Sequence, residues 1–520
     1  MKLLFVNPCL RYEAPHRYLP VGLGYIVTAA KEAGFDFDLL DVDLHQYEDA
    51  IVEHFIRNNH YDVIALGAIV THYKWIKWFT KMVKEHQPHC KIILGNSVGS
   101  SVPELALTHM PIDVVVIGEG DVTILEVLEA YKQGLTLGAI NSAPNNVVQL
   151  GKKVSSRNGV GIEGIVFRDE NGQLVNNGKR KAIRKIDDLP FPDWDLFDVE
   201  RYIELCSPTA HDTVLFPKEE AVVFPINTAR GCVHKCTFCH YVFWDDPYRH
   251  RSAQSVLGEI RRNQEKYGAN YINFWDELSF HKLAPTERFM DALLEADLGI
   301  HWTAAIRSDL FGRAEIPYED RKRVAEKMVR AGGLCVGYSL ESADDDILLA
   351  MNKKVKSEYF AEQVRTLNDV GLLSQTSLVF GYPQETPESI RKTLDFCYDL
   401  DIYPSSGFLL PMPSTGMWEH AIEHGFITDQ DEYLTHITER QDVVLNMTSM
   451  SDEEMLNEVK DGIDRINKKL DLKLNPDRLI KTGGYAKHTV SANKKFEKII
   501  VNRSRNSNNS LNYANVTGSM

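Results

Sequence analysis

Within 520 residues there is no apolar run long enough to span a bilayer. The opening Met1-Lys-Leu-Leu-Phe-Val-Asn-Pro8 is too short for the hydrophobic region of a secretory signal, and it reads as a first strand. Basic residues are outnumbered, 58 Lys and Arg against 73 Asp and Glu, giving a net charge of −15. That excludes a general electrostatic footprint for nucleic acid. Cysteine is sparse. Of eight, Cys9, Cys90, Cys206, Cys335 and Cys397 are scattered without a pairing pattern. Such usage suits a reducing, cytoplasmic setting, and each of the five reads as a small buried hydrophobe. Hydrophobic residues at 43% and charged residues at 25% are ordinary globular values, and the length leaves room for two or three domains.

The remaining three cysteines crowd into Cys232-Val-His-Lys-Cys236-Thr-Phe-Cys239, directly after an apolar run ending in Asn227-Thr-Ala-Arg-Gly231. Three thiolates can hold three irons of a [4Fe–4S] cube and leave the fourth iron without a protein ligand, open to a small molecule. Zinc is the alternative, because His240 follows at once and Cys3His is an ordinary zinc set. Structural zinc sites more often join a C-x2-C pair to a second distant pair, which this sequence lacks.

The fold class expected is α/β in two modules. Over residues 1–135, short apolar runs alternate with helical patterns, the mark of a doubly wound parallel sheet. Its strands are expected at 2–7, 35–42, 62–69, 91–95 and 113–117. Pro20 opens the first helix and Gly34 closes it. Gly95-Asn-Ser-Val-Gly99 and Gly118-Glu-Gly-Asp121 both follow strands, at the carboxyl ends where such sheets bind ligands. Residues 136–220 read as a connector, with a hairpin turning at Asn171-Gly172 and an extended, proline-rich Leu189-Pro-Phe-Pro-Asp-Trp-Asp-Leu196 joining the two main domains. From 221 to 411 six further strand–helix units predict a partial (β/α)6 barrel, with the cysteines just beyond its first strand. Residues 412–486 are less regular and mostly helical, with an amphipathic helix at 451–472 opened by Ser-Asp-Glu-Glu. The polar tail 487–520, including Asn502–Ser510, is expected to be disordered.

The spacing C-x3-C-x2-C with Phe238 before the last cysteine resembles the radical S-adenosylmethionine (SAM) signature. The whole arrangement over about 1–430 resembles the radical SAM enzymes that carry a cobalamin-binding domain. Further likenesses are Leu19-Pro-Val-Gly22-Leu-Gly-Tyr25, Asp113-Val-Val-Val-Ile-Gly118-Glu119-Gly120, the Leu189–Trp194 connector, Tyr248-Arg-His-Arg251, Gly337-Tyr-Ser-Leu-Glu341-Ser342 and Gly381-Tyr-Pro-Gln-Glu-Thr386. The resemblance implies that Cys232, Cys236 and Cys239 ligate the cluster and that Phe238 lies near the adenine of SAM, although mere packing is its ordinary role. It places Asp276 and Glu277 at the SAM amino group, Glu341 at the ribose or methionine end, and Arg307 at the SAM carboxylate. For Asp276 and Glu277 the alternative is an exposed acidic turn, and for Arg307 a surface ion pair. Gly22, Gly95, Gly118, Glu119 and Gly120 would border cobalamin, and Thr71, His72 or Tyr73 would approach its lower face. The sequence departs from the family pattern twice. The Asp-x-His-x-x-Gly segment that supplies a histidine to cobalt is absent after the first strand. Gly95-Asn-Ser stands where relatives often show Gly-Gly-x-His.

The activity implied is methylation of an unactivated carbon of a small molecule, with a [4Fe–4S] cluster, SAM and cobalamin as cofactors. An external electron donor such as flavodoxin or ferredoxin would serve it, and neither nucleic acid nor a membrane span enters. The alternatives are a non-methylating radical cyclisation or rearrangement, as on a tetrapyrrole, and a non-enzymatic corrinoid or iron–sulfur carrier. A methylthiotransferase acting on RNA fits less well, because a second cluster triplet and a basic tail are missing.

Overall fold

A computed structural model describes the chain apart from residues 10–11, 13, 15, 139–159, 211–212, 241–244, 438–442, 476–478, 481–499 and 502–520. Asn502–Ser510 therefore lie outside the described residues.

Alternation along β1 (Leu3–Asn7) sets the first module. Leu3 and Phe5 point into one apolar cluster, while Leu4 and Val6 point into another. A strand buried on both faces belongs in the middle of a parallel sheet covered by helices. β2 (Phe37–Asp41), β3 (Val63–Gly67), β4 (Lys91–Gly95) and β5 (Val114–Val116) complete it, all parallel, in the order 2-1-3-4-5. Helices α1 (Val21–Glu32) and α6 (Gly120–Lys132) cover the first face. The second is covered by α2 (Asp49–Asn58), α3 (Tyr73–His86) and α5 (Pro103–His109), with a short α4 (Asn96–Ser101) inserted after β4.

The hairpin turns at Asn171-Gly172 as expected, with Gly172 at φ +78. It does more than connect, however. Its strand β6 (Ile165–Arg168) pairs antiparallel with β5 and is followed by β7 (Leu174–Asn176), so the first sheet grows beyond the five strands expected. The physical reason is that β5 would otherwise be an open edge, and Ile165, Val166 and Phe167 are apolar on both faces. At the other edge Ile500–Val501 pair antiparallel with β2.

The proline-rich segment joins both modules. Its end is not extended, since Asp193 caps a single 3-10 turn over Trp194–Leu196. Trp194 lies fully buried against Gly24 of α1, where a Cβ would come within 2.8 Å of the indole. Lys31 holds Asp193 at 2.6 Å. On the other side Tyr267 bonds Asp195 at 2.9 Å, and Phe191 lies under the guanidinium groups of Arg251 and Arg262.

In the second module β8 (Val223–Ile226) leads, through the short ribbon β9 (Ala229–Arg230) and β10 (Arg249–His250), to α7 (Ala253–Tyr267). Parallel strands β11 (Tyr271–Phe274), β12 (His301–Ala305), β13 (Gly333–Gly337) and β14 (Leu373–Gln375) follow in spatial sequence. Of the six strand–helix units expected, the fifth does not open on one unbroken strand: the chain breaks at Thr376, and β15 (Ser377–Phe380) pairs with β16 (Ser405–Phe408). Thr376 is occupied by Leu340 N–H on its hydroxyl and Ser405 N–H on its carbonyl. Helices α8 (Leu283–Ala296), α9 (Tyr318–Arg330), α11 (Ser357–Asp369) and α12 (Pro387–Asp399) cover the outside, with a short α10 (Asp345–Ala350) after β13.

The C-terminal helices fold back on both modules. Above the cysteine loop sits α13 (Gly416–Glu423), and α14 (Gln430–His436) is tied to α3 by Asp431, which binds Tyr73 Oη and Lys77 Nζ at 2.7 Å each. Ser451 caps α15 (Asp452–Lys469), which lies on α12. Among the described residues no helix is long and apolar enough to cross a membrane.

Candidate active site

Entry to the cysteine loop is fixed by one carboxylate. Asp276, just beyond β11, accepts from Thr228 N–H (2.9 Å) and Oγ1 (2.5 Å), Ala229 N–H (3.1 Å), Asn227 Nδ2 (3.2 Å) and Ser279 Oγ (2.9 Å). Burial pushes this carboxyl up while those donors pull it down. Gly231 then turns at φ +105, and a Cβ there would meet Tyr248 Cα at 3.1 Å. No other residue fits that turn without strain.

The loop itself is held from the end of α10, from just beyond β15 and from the start of α13. Thr237 donates its N–H to Met351 O (3.0 Å) and its hydroxyl to Ala350 O (3.0 Å), and it meets Tyr382 Oη at 2.5 Å. Asn352 Nδ2 caps Lys235 O at 2.7 Å, and Met417 N–H at the start of α13 donates to Thr237 O at 3.0 Å. His240 Nδ1 is engaged by Pro413 O at 2.9 Å. Burial pushes all three thiols up, Cys236 to about 11. Among the described residues no three His, Cys, Asp or Glu side chains converge as ligands of one ion do. Beside the thiols Glu341 occupies φ +67, a conformation that costs a non-glycine residue energy and marks functional positions. It pairs with Lys353 at 2.9 Å, and while burial pushes that ammonium down, the Glu341 carboxylate holds it up.

A cavity of about 890 Å³ opens between the carboxyl ends of the two sheets. Gly22, Gly95, Gly118, Glu119 and Gly120 line it from the first module, Asp276 and Glu277 from the second. Burial and the neighbouring Asp276 push the Glu277 carboxyl up. Asn96, within the Gly95–Gly99 segment singled out from the sequence, lines this space too, and sequence reasoning missed Asn7, Gly67, Arg230 and Trp275 beside it. Gly67 is the last residue of β3, so the strand-end rule could have found it.

Other expected residues lie elsewhere. Phe238 sits edge-on to Tyr382, with centroids 6.4 Å apart, in the apolar packing around the loop. Arg307 is engaged by Asp309 and by Lys354 O. Thr71, His72 and Tyr73 are not among the residues lining the cavity. β3 ends at Gly67, earlier than expected. His72 is buried and its imidazole pushed down to about 4, while Tyr73 turns to Asp431.

Two family models divide the chain as the geometry does. The B12 binding domain matches residues 9–128 and the radical SAM superfamily matches residues 226–397, together more than half of the chain. The chain belongs to the radical SAM enzymes with a B12-binding domain. Among relatives of this enzyme is an uncharacterized methyltransferase of Pyrococcus horikoshii, 26% identical over 416 residues, 78% of this chain and 79% of that one. Another is the anaerobic magnesium-protoporphyrin IX monomethyl ester cyclase of Rubrivivax gelatinosus, 25% identical over 77% of this chain and 66% of that one. The fold is also that of the radical SAM methyltransferase TsrM from Kitasatospora setae, solved with cobalamin and a [4Fe–4S] cluster. There the TM-score is 0.59 at 16% identity, over 81% of this chain and 78% of that one.

The enzyme's own residues fit these groups. Three free thiols sit in one anchored loop beside a carboxylate–ammonium pair, a donor set suited to three irons of a cube. Toward the first sheet, Gly22 and Gly95 leave space where a Cβ would meet nothing within 4 Å, so a bulky ligand can approach the backbone there.

Proposed function

We propose that this enzyme methylates an unactivated carbon of a small-molecule substrate. The observation that carries this reading is the cavity bounded by the carboxyl ends of both sheets. When bound, the cluster supplies the electron that cleaves SAM to a 5′-deoxyadenosyl radical, and cobalamin carries the methyl group. Cys232, Cys236 and Cys239 would hold the irons, and Glu277 offers a carboxylate to the SAM amino group. Asp276 keeps the loop root in place through five hydrogen bonds and is thereby a positioning residue. Glu341 and Lys353 offer a neutralised pair beside the thiols. Gly22 and Gly95 leave room for the corrinoid, and the walls would keep hydrogen donors other than the substrate away from the radical. An external one-electron donor such as flavodoxin or ferredoxin would reduce the cluster.

The test uses anaerobically reconstituted, reduced protein with methyl-labelled SAM and fractionated small-molecule extract. Label in a carbon-bound methyl of a product, formed together with 5′-deoxyadenosine, is the expected result. The likeness to a ring-forming cyclase favours a second reading, oxidative cyclisation. Deoxyadenosine with a product that carries no label would replace the first reading by the second.

A further inference from the structure

Arg230 and Arg249 lie directly opposite each other on the β9–β10 ribbon, Arg230 two residues before Cys232. Like charges in that relation repel, so the ribbon needs anions. They come from the other module. Arg230 forks onto Asp121 with 3.0 Å to each carboxylate oxygen, and it reaches Glu119 at 3.3 Å. Arg249 meets Glu119 at 2.9 and 3.1 Å and donates to Ile183 O at 2.6 Å. Glu119 also accepts from Ile183 N–H at 2.8 Å, and Tyr25 of α1 lies 5.1 Å from the Arg230 guanidinium. The Asp121, Arg249 and Glu119 side chains are only 6, 7 and 9% exposed and that of Arg230 19%.

Two buried charges and two partly buried ones are a poor way to gain stability. Desolvation costs about as much as the attraction returns, and the best-attested use of buried ion pairs is to fix register. Here both ends of the network are site walls. Glu119 and Asp121 belong to the turn from β5 into α6, Arg230 to the root of the cysteine loop, and all three border the shared cavity. A bidentate guanidinium fixes angle as well as distance, which a lysine does not.

We propose that Arg230 and Asp121, supported by Arg249 and Glu119, are positioning residues that lock the cysteine loop to the corrinoid end of the first sheet and so couple the two cofactor sites. Loading the cluster orders the ribbon, and the network passes that order to the β5–α6 turn. The inference rests on the two-cofactor reading above.

Asp121→Asn keeps the shape and removes the charge. Arg230→Lys keeps the charge and removes the fork, and it decides the matter if the first variant fails to fold. Hydroxocobalamin binding is titrated by absorbance on full-length protein, with and without the reconstituted cluster. Wild type is expected to bind at least about fivefold more tightly with the cluster in place. The variants are expected to bind equally in both states with iron per chain unchanged, and methyl transferred per 5′-deoxyadenosine should fall at least about tenfold. Wild type without linkage, or variants that keep it, overturn the inference. Wild type that shows the linkage but transfers no methyl sinks the methylase reading while the network stands.

Discussion

At the scale of single residues, the loop depends on a glycine and on three protonated thiols. Gly231→Ala puts a Cβ against backbone atoms of Pro247 and Tyr248, at φ +105. The strain is about 1–3 kcal/mol. Melting should shift modestly while iron per chain after reconstitution drops severalfold; full iron content would show that the turn does not govern the loop. The thiols carry a pH consequence. Burial raises them, Cys236 to about 11, so they are protonated at neutral pH and iron must displace their protons. Cluster assembly should therefore release protons and become more favourable from pH 7 to pH 9. Indicator-dye titration during anaerobic reconstitution reads the release, and a pH-independent assembly would contradict it.

Among elements, α15 depends on one close approach. Gly462 faces α12, where a Cβ would fall 2.3 Å from Leu394 Cδ1 and 2.9 Å from its Cβ. Gly462→Leu over-fills that contact and should cost about 1–3 kcal/mol. Loss of the Asp452–Lys469 helix from the barrel would be read as faster amide exchange over 452–469, with the first sheet unchanged. Exchange that stays slow would show that the helix is held by its other contacts. The helix and its Ser451 cap were legible because periodicity and capping are local. The break at Thr376 was not, since it depends on which neighbours take its hydroxyl and carbonyl.

For the whole molecule, the relation of the two modules rests on the Leu189–Leu196 segment as well as on the arginine ribbon. Trp194→Ala removes a fully buried indole from Gly24 and should cost about 3–5 kcal/mol. Calorimetry should then show two transitions where wild type shows one, and a single unshifted transition would deny the segment its joining role. The sequence by itself determined the two α/β modules, their order, the three-cysteine loop and the glycine-rich strand ends. Each of these is written in spacing or periodicity over a few tens of residues, where local sterics act. The tertiary structure alone decided which side chains meet across the modules. Arg230 and Asp121 are 109 residues apart, and Tyr73 leaves the cavity for Asp431, 358 residues away. No periodicity encodes such pairings, because they arise only when both folded surfaces exist to exclude water between them.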